Sequence, residues 1–153
     1  MRYTSNIQGR AIVDIDKLKQ HQVDKDKIRQ LAELYTDIYA SLDIAEDELI
    51  FAQISADWSE IFDYEVDIVD IIDDLKTGVI IGQCNSDLSY ELEDNLKRFV
   101  DNYGDILTSM IVDRKGEQWD DFEQFKMIKN SSGNRLESCQ AEVIITYNDW
   151  RAA

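Results

Sequence analysis

From Tyr3 to Ile15 polar and apolar residues interchange, and Ile7, Ala11, Val13 and Ile15 hold alternate positions, which predicts a first strand with Gly9 as a bulge or kink. The period then lengthens. Ile28, Leu31, Leu34, Tyr35, Ile38, Tyr39 and Leu42 fall at helical spacing, so a helix is expected from an N-cap at Asp24 to Leu42. Glu48–Ser55 reads as a strand with Leu49, Phe51 and Ile54 inward. Two periods compete over Ser59–Lys76. Glu65-Val66-Asp67-Ile68 alternates like a strand, while the longer window puts Phe62, Val66, Val69 and Ile72 on one side of a helix, with Gly78 as its stop signal. The helix is the favoured reading.

Val79–Cys84 is a short apolar run between Gly78 and Asn85, a strand by its bounds. Ser86 opens a helix whose buried face is Leu88, Leu92, Leu96, Phe99, Val100 and Tyr103. Beyond Gly104 the period returns to two. Ile106–Asp113, Glu117–Lys129 and Arg135–Tyr147 read as three strands, with turns at Lys115-Gly116 and Ser131-Ser132-Gly133-Asn134. The predicted architecture is α+β: three helices packed on an antiparallel or mixed sheet that ends in a three-stranded meander. Proline is absent, and no repeat or linker interrupts the pattern, so a single domain over residues 1–153 is expected.

Composition narrows the class. Hydrophobic residues are 44% of the chain, enough for a core at this length. No apolar run reaches the roughly 18 residues that span a bilayer, and the first residues lack the apolar stretch of a signal peptide. The expectation is a cytoplasmic protein. Cys84 and Cys139 are far apart and form no CxxC pair, which predicts two reduced thiols.

Charge changes the picture most. The net charge is −16. Between Gln30 and Leu75 stand fourteen acidic residues and no Lys or Arg, while the rest of the chain holds 18 acids against 16 bases. Such a field repels nucleic acid and attracts basic surfaces. Within the window, Glu60, Asp63, Asp67, Asp70 and Asp74 recur at spacings of 3, 4, 3 and 4. On one continuous helix they form a narrow stripe with carboxylates about 5 Å apart along the axis. Phosphates along a nucleic-acid strand repeat about every 3.4 Å, so such a row suits a groove built for phosphates. Like charges one turn apart destabilise a helix by a few tenths of a kcal/mol. A solvated face tuned for solubility is the plain alternative.

Other chemistry is thinly represented. His21, the single histidine, sits in a polar stretch. Asp43-Ile44-Ala45-Glu46-Asp47-Glu48 lacks the glycine and ligand spacing of a calcium loop. No nucleophile elbow, zinc-protease motif, phosphate-binding loop or dinucleotide fingerprint occurs. Glu117–Phe122 reads as an acidic edge with Trp119 and Phe122 turned to the core. Trp58, Phe62 and Tyr64 are aromatic residues inside the acidic window and serve as interface anchors if exposed. No enzyme, cofactor or metal is expected.

In charge distribution the chain resembles, at the level of class, small acidic phage inhibitors of host defence, of the anti-CRISPR or DNA-mimic type, and the immunity proteins of nuclease toxins. The resemblance covers Gln30–Leu75. It implies a basic protein partner, a nucleic-acid-binding or nuclease complex, in the host cytoplasm if the chain is phage-encoded. Direct contact with nucleic acid or membrane is not expected. The partner-binding residues on this reading are Glu60, Asp63, Asp67, Asp70 and Asp74, supported by Asp43, Glu46, Asp47, Glu48 and Asp73. A non-enzymatic acidic adaptor or regulatory subunit is the alternative.

Overall fold

The computed structural model describes residues 3–20, 26, 46–63, 68–75, 77–86 and 89–152. The helix expected over Asp24–Leu42 and the single histidine lie outside the described residues, Asp26 excepted. Five strands form one antiparallel sheet: β1 (Ser5–Val13), β2 (Val79–Ser86), β3 (Leu107–Gly116), β4 (Phe122–Asn130) and β5 (Gly133–Gln140), in the order β2-β1-β3-β4-β5. The described residues hold four α-helices rather than three: α1 (Ile15–Gln20), α2 (Glu46–Ile61), α3 (Ile68–Leu75) and α4 (Ser89–Tyr103). A 3-10 turn, Gly104–Ile106, joins α4 to β3.

The alternation read in β1 is real. Ile7, Gly9, Ala11 and Val13 are buried, whereas Asn6, Gln8 and Arg10 are exposed. The helices cover the first set. Ile80, Met110, Val112, Phe125 and Met127 extend that inner face across the neighbouring strands. Ile81 and Ile111, in register with Arg10 on either side, lie on the uncovered face and are exposed. Asp14 caps α1, accepting the backbone N–H groups of Asp16 and Lys17 at 3.1 and 3.2 Å.

Glu48–Ser55, expected as a strand, is helical and belongs to α2. The physical reason is burial on every side. Ile50, Phe51, Ala52, Gln53, Ile54, Ser55, Trp58 and Ser59 are all buried, because α2 packs against α1, α3, α4 and β2. From Ile50 to Ser55 every position is buried, so that stretch has no amphipathic period to read.

Gly9 is not a bulge. It pairs in regular register with Gly82 on one side and Val112 on the other. The two glycines leave a notch in the sheet. A Cβ on Gly82 would lie 2.5 Å from the Phe62 ring, and one on Gly9 would lie 2.4 Å from the same ring and 2.8 Å from Trp58. Phe62 and Trp58 therefore seat directly on bare backbone, in tilted contact with each other at 4.8 Å between centroids.

The last strand stops at Gln140, earlier than the sequence pattern implies. Gln140 is opposite Glu123, and the Ala141 N–H still reaches the Phe122 carbonyl at 2.9 Å. The partner strand begins at Phe122, so nothing continues the ladder. Residues 141–152 carry no strand, and Ile144, Ile145, Tyr147 and Trp150 are exposed. No described helix is long and apolar enough to cross a membrane.

Candidate acidic binding site

The continuous helix expected over Ser59–Lys76 is absent. α2 ends at Ile61, and the Phe62 and Asp63 N–H groups bond back to the Ser59 and Glu60 carbonyls at 3.1 and 3.3 Å. Asp63 then takes φ 48°, the left-handed region that ends helices and that Asp tolerates better than most residues. The next described helix, α3, begins at Ile68. Phe62 explains the break: its ring is fixed in the Gly9–Gly82 notch, and the chain turns immediately after it. The five-carboxylate stripe is thereby divided.

The division produces two groups. Asp57 and Glu60 line a groove between α2 and α4, together with Asn95, Arg98, Asn102 and Tyr103. There the Tyr103 hydroxyl donates to the Asp57 carboxylate. Burial, and then that bond and the charge of Asp57, hold the phenol well above its ordinary value. Asp70, Asp73 and Asp74 stand on α3 and line a hollow of about 400 Å³ with Ser55 and Ser59 of α2 and Ile80, Ile81 and Gln83 of β2. Ser55 and Ser59 are one turn apart, so they share a side of α2, opposite Asp57. Asp43 and Asp67 lie outside the described residues. Glu46 and Asp47 open α2, and Glu48 follows as an exposed residue on the same turn. Asp63 is exposed at the turn, close enough for its charge to help raise the half-buried Cys84 thiol, after burial itself.

Acidic groups elsewhere are handled differently. Arg114, almost fully buried, binds Asp121 at 2.8 Å and Glu123 at 3.1 Å and donates to Ser5 at 3.3 Å. Asp121 also accepts from the Tyr3 hydroxyl, and these donors, Arg114 first, hold its carboxyl below the ordinary value. Glu117 accepts two bonds from Thr4, and Asp113 accepts one from Gln124. Within the edge Glu117–Phe122, Glu117 and Asp121 are thus held by neighbouring donors, and Trp119 is 64% exposed rather than in the core.

The carboxylates of Asp70, Asp73 and Asp74 make no hydrogen bond or ion pair to a described residue, although the Asp74 carbonyl accepts from the Thr77 hydroxyl and the Thr77 and Gly78 N–H groups. Asp74 is half-buried. Burial first, then the charges of Asp70 and Asp73, push its carboxyl above the ordinary value. Ser55 is 2% exposed, and its Oγ has no hydrogen-bond partner. Ser59 is buried beside it and donates its own hydroxyl to the Ser55 carbonyl at 2.7 Å. Among the described residues no group of three or more His, Cys, Asp or Glu side chains converges as metal ligands. The three aspartates make a negative wall rather than a chelate.

Ser55, Ser59 and Gln83 were not legible as site residues. Their signal is a pair of polar residues at i,i+4 inside an apolar run, which has meaning only once that run is known to be helix. The aromatic anchors also change role: Trp58 is 1% exposed and Phe62 is fully buried, so both belong to the core, and Tyr64 lies outside the described residues. Comparison with protein-family models, with curated proteins and with solved structures gives no match to this chain.

Proposed function

We propose that this protein is an acidic inhibitor that binds a basic nucleic-acid-binding or nuclease protein and occupies the surface meant for nucleic acid, in the manner of the anti-CRISPR and DNA-mimic inhibitors it resembles in charge. One observation carries the reading. Fourteen acids stand in 46 residues without a single base, and three of them, Asp70, Asp73 and Asp74, meet at one hollow with no ion pair from a described residue. A partner that normally grips phosphates supplies the missing cations. The surface involved is smaller than one long stripe: it centres on α3, with Glu60 and Asp63 at the end of α2 as a second contact. The partner is a protein; neither nucleic acid nor membrane is expected to bind directly. Trp58 and Phe62 are buried, so neither is an anchor through which a salt-insensitive adaptor would bind.

The test is capture from a bacterial lysate at 0.1 and 0.5 M salt, followed by elution with duplex DNA. Charges are screened over about 10 Å at 0.1 M salt, and far more closely at 0.5 M. Captured proteins that bind nucleic acid, leave with competing DNA and are lost at high salt are the expected result. The variant Asp70→Lys/Asp73→Lys/Asp74→Lys should lose them while keeping its melting transition. Retention by the triple variant, or partners indifferent to DNA, would refute the reading.

A further inference from the structure

Large apolar side chains stand together in water on the segment that follows β5. Ile144 is 79% exposed, Ile145 55%, Tyr147 84% and Trp150 100%. Residues 133–150 make no turn, bend or helix, so this segment leaves β5 as extended chain. Residues 143–148 carry no charge in a chain that is 31% charged, and Val-Ile-Ile-Thr-Tyr has the composition of a strand. Exposed strand formers are normally interrupted by a charge or a proline, and none lies between Glu142 and Asp149. Its own sheet cannot take the segment, because β4 begins at Phe122. β5 has the complementary deficit. It ends the order β2-β1-β3-β4-β5, so alternate N–H and C=O groups along its outer side have no described strand to pair with.

We propose that two copies of this chain pair through β5, the segment after β5 of each lying antiparallel along the open β5 edge of the other. The proposal stands apart from the inhibitor reading. The partner is a second copy because the residues match themselves when a two-fold axis passes through Gln140. Leu136, which packs against the core, then opposes Ile144 of the second copy on the helix side of the sheet. Gly133 opposes Tyr147 of the second copy, and a Cβ on Gly133 would meet nothing within 4 Å, so the ring has room there. Arg135 opposes Ile145, Glu137 opposes Val143 and Ser138 opposes Glu142, so no two charges face each other. Each segment adds to a five-stranded sheet rather than forming a lone ribbon, which alone is marginal. The location also suits a chain of charge −16. The aspartates of α3 stand beside β2, four strand spacings or about 19 Å from β5. Joined through β5, the two acidic surfaces lie at opposite ends of the pair, beyond the roughly 10 Å over which charge acts at 0.1 M salt.

Sedimentation equilibrium of the full chain at micromolar concentrations should give twice the chain mass. Ile144→Pro/Ile145→Pro replaces two exposed side chains, so the fold should survive, as circular dichroism checks. Of two successive N–H groups in a strand, one points to a given neighbour. The variant therefore loses a bond in each symmetric half, and the dimer should weaken about tenfold or more. Ala141→Cys tests the register. Cys139 is free and exposed, and it opposes position 141 of the second copy, within reach of a disulfide. In a glutathione redox buffer, a mixture of unlabelled and nitrogen-15 chains should yield a disulfide between Cys139 and the cysteine introduced at position 141, joining peptides of unlike isotope. A chain that sediments as a monomer, a dimer indifferent to the two prolines, or a disulfide confined to one chain would overturn the proposal. So would a monomer whose segment amides resist hydrogen exchange, since the segment would then cover its own chain.

Discussion

Replacing Gly82 by Ala inserts one methyl group where the Phe62 ring already lies. The added Cβ would stand 2.5, 2.7 and 2.7 Å from three atoms of that ring, where carbon atoms prefer about 3.5–4.0 Å. A shift of about 1 Å is required, and neither side yields easily. Gly82 is held in the ladder opposite Gly9, and Phe62 is fully buried against Trp58. Inserting a methylene into a well-packed core costs about 1–3 kcal/mol. At this chain length each kcal/mol lowers Tm by roughly 2–4 °C, so a fall of about 2–12 °C is expected.

The second half of the prediction identifies the cause. All three close contacts of the Gly82 position are with Phe62, so Phe62→Leu should relieve the clash. Alone, Phe62→Leu should cost about 1–2 kcal/mol, less than the 3–5 of Phe→Ala. Combined, the two changes should cost at least about 1 kcal/mol less than their sum, a coupling expected of residues in contact. Gly9→Ala serves as the control. Its Cβ also meets Trp58 at 2.8 Å and Val112 at 2.9 Å, so Phe62→Leu should rescue it poorly. Circular dichroism during thermal and urea unfolding measures each arm. An unchanged midpoint for Gly82→Ala, or strict additivity with Phe62→Leu, would refute the notch as the device that ends α2 at Ile61.

Three further outcomes follow from the charges and thiols. Asp74→Asn should stabilise the fold at pH 7: the folded pKa of Asp74 lies above its unfolded value, so the charged group destabilises at high pH and the advantage of Asn should vanish as pH falls through that pKa, as melts at pH 7 and 3.5 would show. Arg114→Ala should cost about 3 kcal/mol in urea titrations, the low end for breaking a buried ion pair because Asp121 and Glu123 keep some solvent contact. Since Asp121 is depressed, its stabilisation is present above the ordinary carboxylate pKa and lost as pH falls through the lowered value, so the Arg114→Ala deficit should shrink in acid. Alkylation followed by peptide mass spectrometry should label exposed Cys139 before Cys84, whose thiol is half-buried and raised by burial and Asp63; equal rates would contradict that environment.

What could be read from the chain follows from how each element is solvated. β1 and α4 each have one wet and one dry side, so their periods survive in the residue order: Ile7, Ala11 and Val13 in one, Leu92, Leu96, Phe99 and Tyr103 in the other. α2 is buried at every position from Ile50 to Ser55, so that run gives no period. α1 is too short to show one. The tail from Val143 to Tyr147 has strand-forming residues, but propensity does not supply a partner, and β4 provides none past Phe122. The break after Phe62 is the clearest case of tertiary override. Nothing local forbids a helix through Asp63; the glycines that stop it lie 53 residues before and 20 after. The charge window was legible because charge needs no geometry. Its focus was not, since the grouping of Asp70, Asp73 and Asp74 with Ser55 depends on α2 and α3 being separate helices.

Placement separates the binding reading from solubility. Net charge keeps a protein dispersed wherever the charges sit, and exposed, well-spaced carboxylates do so at least cost to the fold. This chain owns sixteen bases and places none between Gln30 and Leu75. Outside that window Arg114 satisfies two acids, and Lys97 and Arg135 each meet one. Inside the window it sets Asp74 half-buried beside two like charges and next to a buried hydroxyl without a partner. Solubility requires none of these features, and each lowers the stability of the unbound chain. A cationic side chain arriving from outside removes the repulsion among the aspartates that the unbound chain carries.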